Sequence, residues 1–245
     1  MRAGRTHWRG LAFCLGLSTA CSSGAPSGPT NPTVPPPTAF TVSSVTDGDT
    51  LRFAPALAGT TTLRMLNIDA PEFGQAPWGE AARNAILQLA PAATELTIET
   101  DLVRLDAFGR VLGHAIRRDG VNLNREQLRH GHAVVFVIWP NLNRFTEYRA
   151  AQIEAQANGR GVWDPARPLN ELPFEYRLRI EGDAPFRPAG DFFTRHYVEP
   201  ADYRRVHVNN RVFFNTAADA AAAGYQACPR EAGGQYAAHC FSSGQ

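Results

Sequence analysis

The chain has 245 residues, of which 44% are hydrophobic, and its formal net charge is +1. This length is sufficient for one or two globular domains with a hydrophobic core. All 24 basic residues are arginines, and the nearly balanced charge excludes capture of nucleic acid by a large uniform positive field.

The first 21 residues are typical of an export signal. A basic segment, residues 1–9, precedes a short apolar segment that ends in small residues. Because this apolar segment is too short for a permanent membrane span, residues 1–21 are predicted to be a signal peptide. Its last part, Leu17 to Cys21, resembles a bacterial lipoprotein signal, in which Cys21 would be lipidated and become the mature N-terminus. Plain secretion and a buried structural role for Cys21 are the alternatives.

Residues 22–38 are predicted to form an extended tether. They consist almost entirely of serine, glycine, proline and threonine, and such a segment has too little apolar surface to form a core. After a lipidated cysteine, a tether would hold a soluble domain away from the membrane. We therefore expect an exported protein, either a cell-envelope lipoprotein with a lipid anchor in the membrane or a secreted protein.

From Phe40 onward the pattern becomes that of a folded domain, with alternating apolar residues, helical spacings and glycine turns. The predicted elements, in chain order, are strands at 40–45, 50–53 and 61–66, a helix at 79–90, strands at 95–102 and 111–117, a helix at 122–130, a short strand at 133–138 and a helix at 146–158. This order predicts an α+β fold, mainly β, built as a five-stranded barrel with three helices packed on it.

Two of the predicted strands carry a cluster of charged side chains. Four carboxylates and the guanidinium of Arg64 occur within 26 residues, and apolar residues alternate around them. The members of this cluster are Asp47, Asp49, Arg64, Asp69 and Glu72. Carboxylate oxygens suit a divalent cation such as calcium, and the planar fork of arginine suits a phosphate. The combination indicates metal-assisted chemistry on a phosphate ester.

Four motifs in this region, with the order of strands and helices, resemble the staphylococcal nuclease (thermonuclease) family over residues 39–165. The motifs are D-G-D-T from Asp47, L-R-M-L-N-I-D-A-P-E from Leu63, D-A-F-G-R from Asp106 and A-N-G-R-G-V-W from Ala157. The resemblance implies an OB-fold barrel and a calcium-dependent nuclease that cleaves DNA and RNA to 3′-phosphorylated products. Residues 39–165 carry 12 arginines against 14 acidic residues, so phosphate affinity must come from individual arginines and a metal.

The resemblance also implies roles for individual residues. Calcium would be held by the carboxylates of Asp49 and Asp69 and by the backbone carbonyl of Ala70, with Asp47 supporting the site from outside the coordinating ligands. Glu72 would orient or deprotonate the attacking water.

Arg64 and Arg110 would contact the scissile phosphate, on which negative charge accumulates as water attacks. Taken alone, Asp47-Gly48-Asp49 is a plain turn, Arg64 is half of a structural ion pair, and Asp106 is a turn residue. The agreement of five positions with one chemical scheme favours the catalytic interpretation.

Two departures from the family limit what is expected of substrate binding. Phe108 stands where the family often has tyrosine, and residues 135–139 lack the tyrosines that bind the nucleotide in the prototype. Trp139 or Phe136 could stack on a base instead, with core packing as the alternative use of these rings. The lysines that flank the prototype's pocket are also missing.

Residues 166–245 are predicted to form a small C-terminal accessory module. Residues 172–180 are interpreted as a linker followed by a strand. Residues 213–229 resemble a zinc-binding module of the kind found in the Ada DNA-repair protein, which normally supplies four cysteines. Cys228 is present, but Ala201 or a neighbour stands where an earlier cysteine would be expected.

After removal of the signal, two cysteines remain, Cys228 and Cys240. In an exported protein, a disulfide between them is the simplest interpretation. The alternative is a zinc site that uses both cysteines and a histidine, His239 or His196, although the spacing matches no usual zinc pattern.

The preferred interpretation is thus an exported calcium-dependent nuclease. Its expected partners are DNA and RNA as substrates, with single strands favoured, and the expected oligomeric state is a monomer. The alternative is a non-catalytic barrel that binds single-stranded nucleic acid or a protein partner. A structural envelope lipoprotein is a third possibility, but it leaves the cluster of acids and arginines unexplained.

Overall fold

The computed structural model describes residues 39–182 and 187–244. The expectations for the signal peptide, for lipidation at Cys21 and for the tether lie outside these residues. The strands are β1 (Phe40–Val45), β2 (Thr50–Leu57), β3 (Thr60–Met65), β4 (Ile68–Asp69), β5 (Glu95–Leu105), β6 (Val111–Arg117), β7 (Val134–Val135), β8 (Val137–Ile138), β9 (Ala189–Asp191), β10 (His196–Val198), β11 (Arg211–Phe213) and β12 (Gln226–Ala227).

The α-helices lie close to the predicted positions over the first 165 residues, and two more follow. They are α1 (Trp78–Leu89), α2 (Leu123–Arg129), α3 (Phe145–Ala157), α4 (Pro173–Glu181) and α5 (Ala217–Ala222). Helix α2 begins after Asn122, whose side chain accepts a hydrogen bond from the backbone N–H of Arg125 at 3.1 Å. This is an N-cap, which gives a hydrogen-bond partner to an N–H group that the helix itself leaves unpaired. None of the helices within the described residues has the length and apolar character needed to cross a bilayer.

Five strands close into a barrel in the order β1-β2-β3-β6-β5. Their alternating sequence turns one face of each strand inward, so that Leu51, Leu63 and Val111 are almost completely buried. Strand β3 pairs with β2 in the antiparallel sense and with β6 in the parallel sense. The closed barrel with helices packed against it confirms the predicted OB-fold of the α+β class.

A second, five-stranded sheet joins the barrel segment to the C-terminal segment. Its order is β12-β10-β9-β11-β8, and the edge strand β8 pairs in parallel with β11 through Val137 and Val212. Residues from both segments, among them Phe145 and Phe214, belong to one buried cluster. The predicted boundary after residue 165 stays a prediction, but the two segments are continuous through this sheet.

The segment 172–180, predicted as a linker and a strand, is instead largely helical, because α4 covers Pro173–Glu181. Its alternating apolar residues suggested a strand, but Phe174 and Leu178, four residues apart, both pack against the second core cluster. Pro173 occupies the first turn, where a missing N–H costs nothing. The side chain of Glu175 accepts a hydrogen bond from the backbone of Leu172 at 3.0 Å. These local signals favour a helix start over a strand.

Candidate active site

The carboxylates and Arg64 are brought together by the register of two barrel strands. Thr50 in β2 lies opposite Arg64 in β3, which places Asp49, the residue before β2, beside Arg64. The chain then turns through Leu66 and Asn67 into β4, which ends at Asp69. Strand β4 is held in place by antiparallel pairing with β7.

Arg64 bridges two carboxylates. Its Nη1 lies 2.9 Å from Asp49 Oδ2, and its Nη2 lies 2.9 Å from Asp69 Oδ1. The same Nη1 also donates to the backbone carbonyls of Met65, at 3.2 Å, and Ile68, at 3.1 Å. The guanidinium is therefore held by backbone as well as by charge, and its position is defined before any ligand binds.

The turn that carries Asp47 and Asp49 packs tightly against the rest of the site. Asp49 Oδ2 accepts a hydrogen bond from the backbone N–H of Ala70 at 2.8 Å, and Asp47 Oδ1 accepts one from the backbone of Asp49 at 3.0 Å. A Cβ at Gly48 would lie 2.5 Å from the Cβ of Ala82 and 2.6 Å from that of Ala70. Glycine is needed at this position because a side chain would push the turn away from Ala70 and from helix α1.

Burial raises the pKa of two acidic residues of the site. Burial raises the pKa of Asp69 to about 6, although the guanidiniums of Arg177 and Arg64 act in the opposite direction. Burial, followed by repulsion from Asp49, raises the pKa of Asp47 to about 6. The cluster therefore holds more negative charge than its surroundings stabilise.

This donor set fits a hard divalent cation. Arg64 and Arg177 form ion pairs with three of the four carboxylates, those of Asp49, Asp69 and Glu72. The cluster therefore carries four carboxylates against two guanidiniums. The carboxylates of Asp49 and Asp69 and the carbonyl of Ala70 are oxygen donors of the kind that such cations prefer.

Glu72 lies in a short loop that is closed by Gln75. The backbone N–H of Glu72 donates to Gln75 Oε1 at 3.0 Å, and the backbone N–H of Gln75 donates to the carbonyl of Glu72 at 2.8 Å. The Glu72 side chain is 37% exposed, and its Oε1 lies 2.7 Å from Nη1 of Arg177. The structure thus connects Glu72 to Asp69 through Arg177, which contacts both.

Arg110 lies in the same groove but makes its ion pair with Asp106 rather than with the other carboxylates, its Nε being 2.7 Å from Asp106 Oδ2. Asp106 also accepts hydrogen bonds from the backbone N–H groups of Phe108 and Arg110. The residue predicted as a plain turn former therefore also orients the Arg110 side chain, which stacks over the Phe108 ring.

An open groove with a cavity volume of about 840 Å³ connects these groups. Asp47, Asp49, Arg64, Glu72 and Arg110 all line it. Further lining residues include three aromatic side chains, and three polar ones come from beyond residue 165. These six are Phe108, Phe136, Trp139, Arg177, Arg187 and Asn215.

The aromatic residues differ in their freedom to meet a ligand. Phe108 is 84% exposed. Phe136 stacks on Phe174, with ring centroids 5.2 Å apart, and Trp139 packs against the main core cluster while facing the groove. Phe136 and Trp139 each pack against other residues of the protein and also line the groove. Core packing and a surface for a base, the two alternatives for these rings, are therefore compatible.

Arg177, Arg187 and Asn215 were not anticipated as site residues. Arg177 lies in the segment predicted as a linker and a strand, and Asn215 lies in the segment that resembles a zinc-binding module, so neither pattern indicates a place in the groove. The contact between Arg177 and Glu72 joins residues that are 105 positions apart, and no local sequence pattern predicts such a contact.

The C-terminal cysteines lie away from this groove. Cys228 and Cys240 are joined by a disulfide, with their Cα atoms 5.8 Å apart. His196, His239 and Cys240 offer ligand atoms within 4.8 Å of one another, and the sulfur of Cys240 is engaged in the disulfide.

Comparison with known proteins finds a family model and related endonucleases. The family model described as staphylococcal nuclease homologue matches residues 62–165. The chain is similar to Endonuclease YhcR of Bacillus subtilis (strain 168), with 34% identity over 205 residues that cover 78% of this chain and 17% of that protein. It is also similar to an uncharacterized endonuclease of Escherichia coli, with 30% identity over 133 residues that cover 54% of this chain and 82% of that protein.

The extent of the Bacillus match has a consequence for the C-terminal segment. Residues 1–165 make up about two thirds of the chain, whereas the match covers 78% of it. The similarity therefore continues into residues 166–245.

Proposed function

The chain belongs to the family of staphylococcal nuclease homologues, and on this premise we propose that it is a calcium-dependent nuclease that hydrolyses phosphodiester bonds of DNA and RNA to 3′-phosphorylated products. The observation that carries this proposal is the convergence of the carboxylates of Asp47, Asp49 and Glu72 and the guanidiniums of Arg64 and Arg110 on one open groove. A plain turn or a structural ion pair would not need all of these groups to face the same space. The fourth carboxylate of the cluster, that of Asp69, is buried and contacts Arg64.

The resemblance to the family implies the roles, and the positions of the groups are compatible with them. Asp49, Asp69 and the carbonyl of Ala70 would hold calcium, and Asp47 supports them through its hydrogen bond from the Asp49 backbone. When bound, calcium would supply a Lewis acid that polarises the phosphate.

Glu72, at the edge of the cluster, would orient or deprotonate an attacking water. Arg64 and Arg110 would donate hydrogen bonds to phosphate oxygens as negative charge accumulates on them. Because both side chains are already held by ion pairs, they need little reorganisation when the charge develops.

The shape of the groove supports a single-stranded substrate. The exposed ring of Phe108 and the groove-facing rings of Phe136 and Trp139 offer surfaces for unstacked bases. Bases in a duplex are already stacked on their neighbours and would not reach these rings. Sequence-independent stacking is also compatible with both DNA and RNA.

We further propose that the protein is exported and acts as a monomer. The disulfide between Cys228 and Cys240 supports an oxidising compartment, where calcium is plentiful and modest affinity for it is sufficient. Anchoring through a lipidated Cys21 rests on the sequence alone, with plain secretion as the alternative.

The proposed activity is tested by incubating the purified protein with single-stranded DNA in calcium, and then with excess chelator. Cleavage that appears with calcium and stops with chelator would support both the nuclease and its metal. A folded protein that binds the strand without cutting it would favour the non-catalytic binding module instead.

A further inference from the structure

Arg177 is a third arginine of the active-site groove, and it comes from the C-terminal segment. Its Nη1 lies 2.7 Å from Glu72 Oε1, and its Nη2 lies 2.9 Å and 3.0 Å from the two oxygens of Asp69. One guanidinium therefore spans the proposed catalytic acid–base and a proposed metal ligand. A planar fork can do this, whereas a single-point cation cannot hold both carboxylates in fixed geometry.

Helix α4, which carries Arg177, is firmly anchored. Phe174, one turn before Arg177, is buried and packs with ring centroids 5.2 Å from Phe136 and 5.3 Å from Phe213. Residues three apart share a helix face, so the burial of Phe174 directs Arg177 toward the barrel. Glu175 adds hydrogen bonds from the Tyr203 hydroxyl and the Arg204 guanidinium.

The same helix region supports the loop that carries Glu72. Gln75, whose side chain accepts the N–H of Glu72, donates its own side-chain N–H to the carbonyl of Glu171 at 2.8 Å. A Cβ at Gly74 would lie 1.9 Å from the hydroxyl of Tyr176, so the loop and the helix approach as closely as a glycine allows. The Glu72 loop is thus held against α4 and the residues before it by the close approach of Tyr176 to Gly74, by Gln75 and by the Arg177 ion pair.

We propose that Arg177 is a positioning residue of the nuclease reaction, which holds the Glu72 carboxylate in place relative to Asp69 and the metal site. This inference rests on the proposed function, and it makes residues 166–245 part of the catalytic unit rather than an accessory. The similarity to the Bacillus endonuclease, which continues into this segment, agrees with such a role.

The position of Arg177 has two opposing consequences. Its charge lies beside Asp69 and so repels a cation bound there, which weakens calcium binding. Its fork also fixes Glu72, which raises the rate once calcium is bound. Loss of Arg177 should therefore tighten calcium binding and slow catalysis together, a combination that general damage to the fold would not produce.

The experiment compares the full-length protein with Arg177→Ala, Arg177→Lys and, as a control, Arg167→Ala. Arg167 has a side chain that is 71% exposed and lies 3.9 Å from its nearest partner, Asp164, so its removal changes net charge without touching the groove. Calcium affinity is measured by isothermal titration calorimetry, and kcat and KM are measured on single-stranded DNA at saturating calcium. Thermal unfolding checks that each variant is folded.

We expect Arg177→Ala to lower kcat about 10- to 100-fold with little change in KM, and to bind calcium roughly threefold tighter or more. Arg177→Lys keeps the charge but loses the fork, so its calcium affinity should return to that of the unmodified protein while kcat stays low. Arg167→Ala should match the unmodified protein in both measurements.

Two results would overturn the inference. If Arg177→Ala binds calcium more tightly and also cleaves faster, then the Arg177 guanidinium inhibits the reaction by competing with calcium and does not position Glu72. If neither calcium affinity nor kcat changes, the ion pairs have no role at the site. Should the unmodified protein fail to cleave, the proposed function fails, but the calcium titration still shows whether the Arg177 charge acts on the metal site.

Discussion

Nη2 of Arg64 lies 2.9 Å from Oδ1 of Asp69, whose side chain is entirely buried, whereas Arg110 pairs with Asp106 where both side chains keep some solvent exposure. The two arginines that are proposed to contact the phosphate should therefore differ in how much stability the protein loses when they are removed. Removal of one partner of a buried ion pair leaves an uncompensated charge, while loss of a surface pair costs little.

Replacing Arg64 and Arg110 separately by alanine should therefore separate activity from stability. Both variants should lose about 100-fold or more in kcat, because each removes a donor to the developing charge. Arg64→Ala should also lower the free energy of unfolding in chelator by about 3 kcal/mol, and Arg110→Ala by less than about 1 kcal/mol. Denaturant unfolding and initial rates check this, and equal stability of the two variants would contradict it.

Glu72→Gln should reduce the rate by about 100- to 10,000-fold, because the amide cannot accept a proton from water. The fold should survive, since the Glu72 side chain is 37% exposed. Glu80→Gln makes the same chemical change at an exposed position in the first turn of α1 and serves as the control. If Glu72→Gln cleaves single-stranded DNA at the rate of that control, the role assigned to Glu72 is wrong.

Cys228→Ser should lower stability under oxidising conditions by about 2–4 kcal/mol, because the disulfide no longer restricts the unfolded chain. Nuclease activity at moderate temperature should persist, since the disulfide lies away from the groove. The comparison is thermal unfolding with and without a dithiol reductant. Reductant should lower the melting temperature of the unmodified protein toward that of the variant, and an equal effect on both would argue against the disulfide.

Stability should depend on pH through His114. This side chain is completely buried, with Nδ1 2.8 Å from the Tyr148 hydroxyl, and burial followed by the Arg144 charge lowers its pKa from 6.5 to about 4, against the effects of Glu99 and Asp101. In the unfolded chain His114 binds a proton below about pH 6.5, whereas in the folded protein it stays neutral until the pH falls to about 4. The contribution of His114 to stability is thus complete above pH 6.5 and is lost as the pH falls toward 4, by roughly 3 kcal/mol in total.

Urea unfolding at intervals between pH 4 and 7 measures this effect. The variant His114→Gln should show a flatter dependence than the unmodified protein over that window, whatever its absolute stability. His132 and His207, whose pKa values are also lowered by burial, are present in both proteins and cancel in the comparison. Parallel curves would show that His114 is not the responsible group.

Much of the barrel was predictable because its signals are local. Alternating apolar residues define β1 and β3, and glycines and prolines end the helices. The cluster around Arg64 was likewise visible, since its members lie within 26 residues. Residues 172–180 carry two patterns at once: the alternation of apolar residues predicts a strand, whereas Phe174 and Leu178 are also spaced as on one face of a helix, and the helix is what forms.

The contribution of the C-terminal segment to the site could not be predicted in the same way. Arg177 reaches Glu72 because α4 packs on Phe136 and Phe213, and these contacts depend on the three-dimensional arrangement of distant segments. Asp106 is an intermediate case. Its place in a turn was evident, but its hold on the Arg110 side chain required the geometry.

The pairing of β8 with β11 determines when the protein can finish folding. Val137 obtains its partner Val212 only after 75 further residues have been made, so the second sheet cannot form before the C-terminal segment has been synthesised. Until then, β8 lacks its pairing strand β11, and the ring of Phe136 lacks the residues that pack on it. A truncated chain therefore keeps an unpaired strand edge beside an exposed aromatic ring. Such a surface favours aggregation and proteolysis, so shortened chains should be removed rather than accumulate as free barrels.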